Sequence, residues 1–217
     1  MSNKKDHETS RIIGFWERRE SVNFHYFNVV DNDDATSGFW DSTSPFRRAF
    51  DQLDLTAVLE IACGFGRHSQ RIAKSCGRLW LLDTSIDALE EARRRFQGYP
   101  NVEVLPPGQG NNIGLENDSC TAVFSYDAMV HFEMNDVFSY LREAFRVLKV
   151  GGRLLLHHSA YELAPGNTFD QNPGWRNFMN LQTFKHVALQ SGFRIISVET
   201  LDWNAPKSDA LTLLEKV

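Results

Sequence analysis

The 217 residues are 42% hydrophobic and 12% aromatic, enough apolar material for one domain with a sizeable core. No apolar run approaches the ~20 residues of a membrane-spanning helix, and a net charge of −5 disfavours a partner held by phosphate neutralisation. These features lead us to expect a soluble, cytoplasmic protein with no membrane or nucleic-acid partner; Cys63, Cys76 and Cys120, without Cys-x-x-Cys or paired-histidine company, read as buried free thiols rather than a disulfide frame or a metal site.

The polar first ten residues read as a disordered leader. From Arg11 to Trp40, aromatic residues (Phe15, Trp16, Phe24, Tyr26, Phe27, Phe39, Trp40) are interleaved with polar ones without a sustained period. Short helices over the mouth of a site, or aromatics that seal a sheet edge, would each account for this. Residues 1–55 are accordingly expected to form a helical, aromatic covering segment, and 56–217 the domain itself. Pro45 suits the first turn of a helix through Phe46, Ala49, Phe50 and Leu53.

Val58 to Ile61 is a β-branched, apolar run that contains Glu60 and leads into Ala62-Cys63-Gly64-Phe65-Gly66, after which helical character runs to about Cys76, with Gly77 placed to end it. A strand, a tight glycine turn and a helix start make a loop able to hold a nucleotide-like ligand. Arg78 to Leu82 is a second strand ending in Asp83, and Thr84 or Ser85 caps a helix with Ile86, Leu89, Ala92 and Phe96 on one face. The basic triplet Arg93-Arg94-Arg95 reads as a solvated helix end.

Val102 to Leu105 is a third strand, followed by the polar loop Gln109-Gly110-Asn111-Asn112. Ala122 to Tyr126 is the fourth, and Val137, Tyr140, Leu141, Ala144 and Leu148 describe an amphipathic helix ending near Gly151-Gly152. Arg153 to Ser159 is the fifth strand, and Tyr161 to Phe178, broken by Pro165, Gly166, Pro173 and Gly174, is an irregular insertion. Asn180 caps a helix through Leu181, Phe184, Ala188 and Leu189 that Gly192 ends; two strands, Phe193 to Leu201 and Ala210 to Val217, close the chain.

Strands alternating with helices and then a closing pair specify an α/β fold: a doubly wound, mainly parallel, seven-stranded Rossmann-like sheet with an antiparallel last strand. Ligands bind such sheets beyond the carboxyl ends of the strands. Glu60, Asp83, Gln109 and Ser125 all fall there. A dinucleotide loop would want a third small residue where Ser69 stands, and Glu60 beside a pyrophosphate costs roughly 4 kcal/mol at about 4 Å and an effective dielectric of ~20. A cofactor without phosphates and with positive charge removes the conflict.

At these residues the chain resembles the class I S-adenosylmethionine-dependent methyltransferases, from about Thr56 to Val217. Their acid-x-Gly-x-Gly-x-Gly loop is matched by Glu60 to Gly66, with Ala62 in the first glycine position. The resemblance implies S-adenosyl-L-methionine as cofactor, held by Glu60, Ala62, Cys63, Gly64, Gly66, Asp83, Thr84, Gln109, Gly110, Asn111 and Ser125. It implies that Asp83 accepts from the ribose hydroxyls and Gln109 from the adenine amino group, with Asn111 or Asn112 competing. Leu148 to Leu155 resembles the family's structural turn into the fifth strand.

In the family, the segment after the fourth strand, Ser125 to Phe132, borders the transferred methyl group. If the acceptor has a proton to lose, His131 is the first base candidate and Asp127 the second. Tyr26, Tyr126 and His131 are the candidate substrate contacts. His157 and His158 point to opposite faces of a strand, so at most one faces the pocket. The Asn/Asp-Pro-Pro-Tyr/Phe and Pro-Cys signatures of nucleic-acid methylases are absent. A small-molecule acceptor is therefore expected, enclosed by the N-terminal segment and the 161–178 insertion. A non-catalytic cofactor-binding module and a nicotinamide oxidoreductase remain as other classes, and nothing in the sequence fixes an oligomeric state.

Overall fold

The computed structural model describes residues 33–108, 112–203 and 205–217, with side-chain burial from residue 37. In chain order the elements are α1 (Asp33–Trp40), α2 (Pro45–Phe50), β1 (Ala57–Ile61), α3 (Arg67–Ile72), β2 (Arg78–Leu82), α4 (Ile86–Arg95), β3 (Val102–Val104), β4 (Cys120–Ser125), α5 (Met134–Val147), β5 (Leu148–Ser159), α6 (Leu181–Gln190), β6 (Phe193–Leu201) and β7 (Asp209–Lys216). Single 3₁₀ turns stand at Met129–His131, Phe169–Gln171 and Pro173–Trp175.

The strands form one sheet in the order β3-β2-β1-β4-β5-β7-β6. All neighbours are parallel except β7, which runs antiparallel to both β5 and β6. Every residue of β1 is buried, as a strand covered on both faces requires. Alternate residues feed two cores. Leu59, Ile61, Val123, Leu154 and Leu156 pack under α5 and α6, whereas Val58, Leu79, Leu81, Phe124 and Leu155 pack under α2, α3 and α4.

Helix α2 is therefore part of the same core as 56–217: Phe50 meets Phe124 edge to face at 5.2 Å and Phe46 lies 4.1 Å from the Tyr126 ring. Residues 1–32 of the expected covering segment, with Tyr26 among them, lie outside the described residues. Its caps follow the sequence. Ser44 accepts from the Arg47 amide ahead of Pro45, Ser85 from Ala88 in α4, and Asn180 from Gln182 and Thr183 in α6.

Four local expectations are corrected. The α3 helix stops at Ile72, and Gly77 is required by crowding rather than by a left-handed cap: a Cβ there would lie 2.4 Å from the Thr56 carbonyl oxygen. In α4 the buried positions are Ala88, Leu89 and Ala92, while Ile86 is 61% exposed because it begins the helix on the solvent side. Leu189 is 54% exposed, so α6 buries only Phe184 and Ala188. Strand β5 starts at Leu148, before the glycine pair; Gly151, at φ 79°, sits where its register against β4 shifts between Cys120 and Ala122. All three cysteines are free and buried.

Candidate cofactor and acceptor site

The sheet reverses its order of growth between β1 and β4, and the carboxyl ends of these two parallel neighbours lie at one edge. After β1 the chain places Ala62, Gly64 and Gly66 at φ 57°, 54° and 79°, three left-handed residues at every second position. Ala62 adopts this conformation at a cost of roughly 1–2 kcal/mol that glycine would avoid. A Cβ on Gly66 would lie 2.5 Å from the Phe96 ring. The Gly66 amide closes the loop on the Cys63 carbonyl at 2.8 Å, and the Cys63 amide donates to Leu82 at 3.1 Å.

Asp83 completes that unit. Its Oδ2 accepts the Gly64 amide at 2.8 Å, and its Oδ1 accepts Thr84 and Ser85 at 2.8 and 3.0 Å. Three of the roughly four lone-pair sites of the carboxylate are filled, which leaves one on Oδ2. Burial raises its pKa against the pull of these three bonds.

Glu60 is placed differently from the sequence expectation. Its carboxyl is 2% exposed and accepts from the Ser69 hydroxyl beneath α3. Burial, which outweighs that bond and the nearby Arg67, pushes its pKa up to about 8. Glu60 is thus largely uncharged at neutral pH. Ser125, at the end of β4, is fully buried with a hydroxyl that has no hydrogen-bond partner among the described residues. Gln109, Gly110 and Asn111 lie outside the described residues.

Beyond β4, Tyr126 is stacked on His157 at 4.7 Å, and Asp127, at φ 56°, pairs with Arg67 at 2.7 Å. The Asp127 amide donates to His157 Nδ1 at 3.1 Å, so His157 donates through Nε2 to Asp209 at 3.0 Å. Arg176 grips the same Asp209 with two bonds of 2.8 and 2.6 Å, all within the interior. Those bonds and His157 overcome burial and hold the Asp209 carboxyl down at about 2. The 161–178 insertion thereby reaches the site through Arg176.

His131 lies in the 3₁₀ turn after β4. Its Nδ1 donates to the Trp175 carbonyl at 2.7 Å, and its own carbonyl accepts Asn177 Nδ2 at 2.6 Å. Burial lowers its pKa to about 4, so the ring is neutral at pH 7. His157 and His158 do part to opposite faces: His158 stacks on Phe184 at 3.7 Å, bonds to Ser159 and Thr212, and is driven by burial to about 4.

Sequence reading missed Arg67, Arg176, Asp209 and His68. An arginine opening the helix after a glycine loop and an aspartate opening a strand are weak cues, and the pairing of Arg176 with Asp209 spans 33 residues. Among the described residues no group of three or more His, Cys, Asp or Glu could hold a metal ion, and no helix is long and apolar enough to cross a membrane.

Residues 58–152, which carry the loop, Asp83 and β4, match the family model described as a methyltransferase domain. This family takes its methyl group from S-adenosylmethionine. The chain is 29% identical over 157 residues to an uncharacterized 37.1 kDa protein of transposon Tn4556 from Streptomyces fradiae, covering 70% of this chain and 44% of that one. It is 24% identical over 123 residues to phosphoethanolamine N-methyltransferase 3 of Arabidopsis thaliana, covering 56% and 25%. The chain thus spans less than half the length of either relative. In fold it is similar to an S-adenosylmethionine-dependent methyltransferase from Mesorhizobium loti, with a TM-score of 0.62 at 17% identity, over 79% of this chain and 97% of that one.

Proposed function

We propose that this chain transfers the methyl group of S-adenosylmethionine to a small-molecule acceptor. The observation that carries the reading is the joint anchoring of the glycine loop and Asp83, through Gly64 N–H to Oδ2 and Cys63 N–H to Leu82, at the point where strand order reverses. The unpartnered Ser125 hydroxyl at the same edge fits a polar ligand there. S-adenosylmethionine, when bound, would supply a methyl carbon on a sulfonium for in-line attack by the acceptor, with the C–S bond breaking and S-adenosylhomocysteine leaving as the neutral thioether.

The residues have distinct tasks in this reading. Asp83 takes a ribose hydroxyl at its remaining Oδ2 site, and Thr84 flanks it. Ala62, Cys63, Gly64 and Gly66 give backbone groups and open space, while Gln109, Gly110 and Asn111 serve the adenine. Ser125 donates toward the cofactor. Tyr126 and His131, with Tyr26, border the acceptor. Of the two base candidates His131 is the better placed, because its Nδ1–H is committed to Trp175 and its lone pair therefore lies on Nε2, whereas Asp127 is held by Arg67. Glu60 acts from beneath, shaping the loop through Ser69.

A small acceptor is supported by the shortness of the 161–178 insertion and by the name of the plant relative, whose acceptor is phosphoethanolamine. Thermal shift with S-adenosylhomocysteine and with NADH tests the cofactor. A ligand at about 100 times its Kd adds about 2.7 kcal/mol, so we expect a clear shift with the first, none with the second, and loss of the shift in Asp83→Ala. A shift with NADH alone overturns the reading, and cofactor binding without turnover of any acceptor would favour a regulatory module.

A further inference from the structure

His68 stands in the first turn of α3, and Tyr126 directly follows β4, so both lie past the two strands between which the sheet changes its direction of growth. His68 is 2% exposed, and its Nδ1 accepts the Trp40 indole N–H at 3.2 Å. A neutral imidazole with Nδ1 accepting carries its hydrogen on Nε2. Burial drives the His68 pKa well below the usual histidine range, so the ring is neutral. Its Nε2–H has no hydrogen-bond partner among the described residues.

A buried donor without a partner is uncommon and costly, and it calls for an explanation. The surroundings supply one. The rings of Phe39, Trp40, Phe46 and Tyr126 stand around His68 with centroids 6.2, 6.1, 5.6 and 5.5 Å away. Such walls favour a flat apolar body by stacking and edge contacts. None of them, the Tyr126 hydroxyl included, hydrogen-bonds the Nε2 hydrogen. Tyr126, whose ring plane stands at 89° to that of His68, is the internal group set to compete for it through a weak N–H to π contact.

We infer that His68 Nε2–H is the polar anchor of the acceptor subsite, and that the acceptor is a small planar, apolar-bodied molecule carrying an oxygen or ring nitrogen that accepts a hydrogen bond. This rests on the methyltransferase reading above and names the class of substrate for it. His68 is a positioning and specificity residue. Its Nε2 already holds a proton and so takes none from the acceptor. A site built on a buried donor rejects analogues that lack the matching acceptor atom.

The test uses the full chain loaded with S-adenosylhomocysteine and two matched probes, acetophenone and ethylbenzene, the second lacking the carbonyl oxygen. Histidine ¹⁵N–¹H spectra of the wild type follow the His68 Nε2 resonance during each titration. We expect acetophenone to bind at least about tenfold more tightly, about 1.4 kcal/mol, and to move the Nε2 resonance, while ethylbenzene leaves it in place. In His68→Phe the preference should collapse toward equality. Equal binding of the probes, absence of binding by both, or an unmoved Nε2 resonance, as when Tyr126 keeps the proton, overturns the inference while S-adenosylhomocysteine binding stands. Failure of S-adenosylhomocysteine to bind overturns the methyltransferase reading instead. The wild-type comparison decides the matter even if His68→Phe does not fold.

Discussion

Ser69 gives its hydroxyl hydrogen to the Glu60 carboxyl inside the fold, beneath the first turns of α3. Burial lifts that carboxyl from 4.5 to about 8 in spite of the bond. The folded chain therefore keeps a proton that the unfolded chain releases above pH 4.5, and this site's contribution to stability falls as pH rises from about 4.5 to about 8. Glu60→Gln keeps a partner for Ser69 and removes the titration. Relative to wild type, the variant should gain stability between pH 5 and 8.5 by on the order of a few kcal/mol in denaturant unfolding. A stability difference that does not change with pH would refute the assignment.

Asp209 titrates in the other direction. Its carboxyl is held at about 2, below its usual 3.8, by Arg176 and His157 against the effect of burial. That stabilisation is present above pH 3.8 and is lost as pH falls through about 2. Asp209→Asn leaves the buried Arg176 guanidinium without a counter-charge and should cost about 3–5 kcal/mol at pH 7. Urea midpoints measure it; a loss below about 1 kcal/mol would show that water or another group compensates for Arg176.

Gly77 and Gly98 form a matched pair for crowding. A Cβ at Gly77 would meet the Thr56 backbone at 2.4 Å, whereas at Gly98 it would find nothing within 4 Å. Gly77→Ala should lower stability by about 2 kcal/mol or more and Gly98→Ala should stay within about 0.5 kcal/mol of wild type. Similar melting temperatures for the two variants would contradict the close approach of the α3–β2 turn to Thr56.

His131, if it is the base, must be neutral to act. With burial setting its pKa at about 4, the rate should be flat from pH 6 to 8 and halve only near pH 4. His131→Gln should then lower kcat by about 10²-fold or more with little change in S-adenosylhomocysteine affinity. An inflection near the ordinary histidine value of about 6.5 would argue for an exposed base instead.

Much of the fold was legible because its signals are local. The apolar runs at Val58, Arg78 and Ala122, the caps Ser85 and Asn180, and the glycine loop each announce an element within a few residues, and all appear in the structure. The departures come from tertiary contacts that override local pattern. Ile86 fits the helix period but starts α4 on its solvent side, and Gly77 answers to Thr56, 21 residues earlier. At the site, sequence places Asp83 and Ser125 at the right edge but cannot tell that Glu60 turns under α3 toward Ser69. Nor can it join Arg176 to Asp209, or surround His68 with rings drawn from α1, α2 and the end of β4.

The reversed strand β7 carries an implication for how the chain assembles. Since β6 touches the sheet only by way of β7, it has no ladder to join when it first leaves the ribosome, and β5 keeps a bare flank until Asp209–Lys216 has been made. The residue that opens this late wedge is Asp209, which clamps His157 and Arg176. The pocket rim is thus fastened by the same event that closes the sheet, and a nascent chain halted before it would expose both an aggregation-prone edge and an unfinished binding surface.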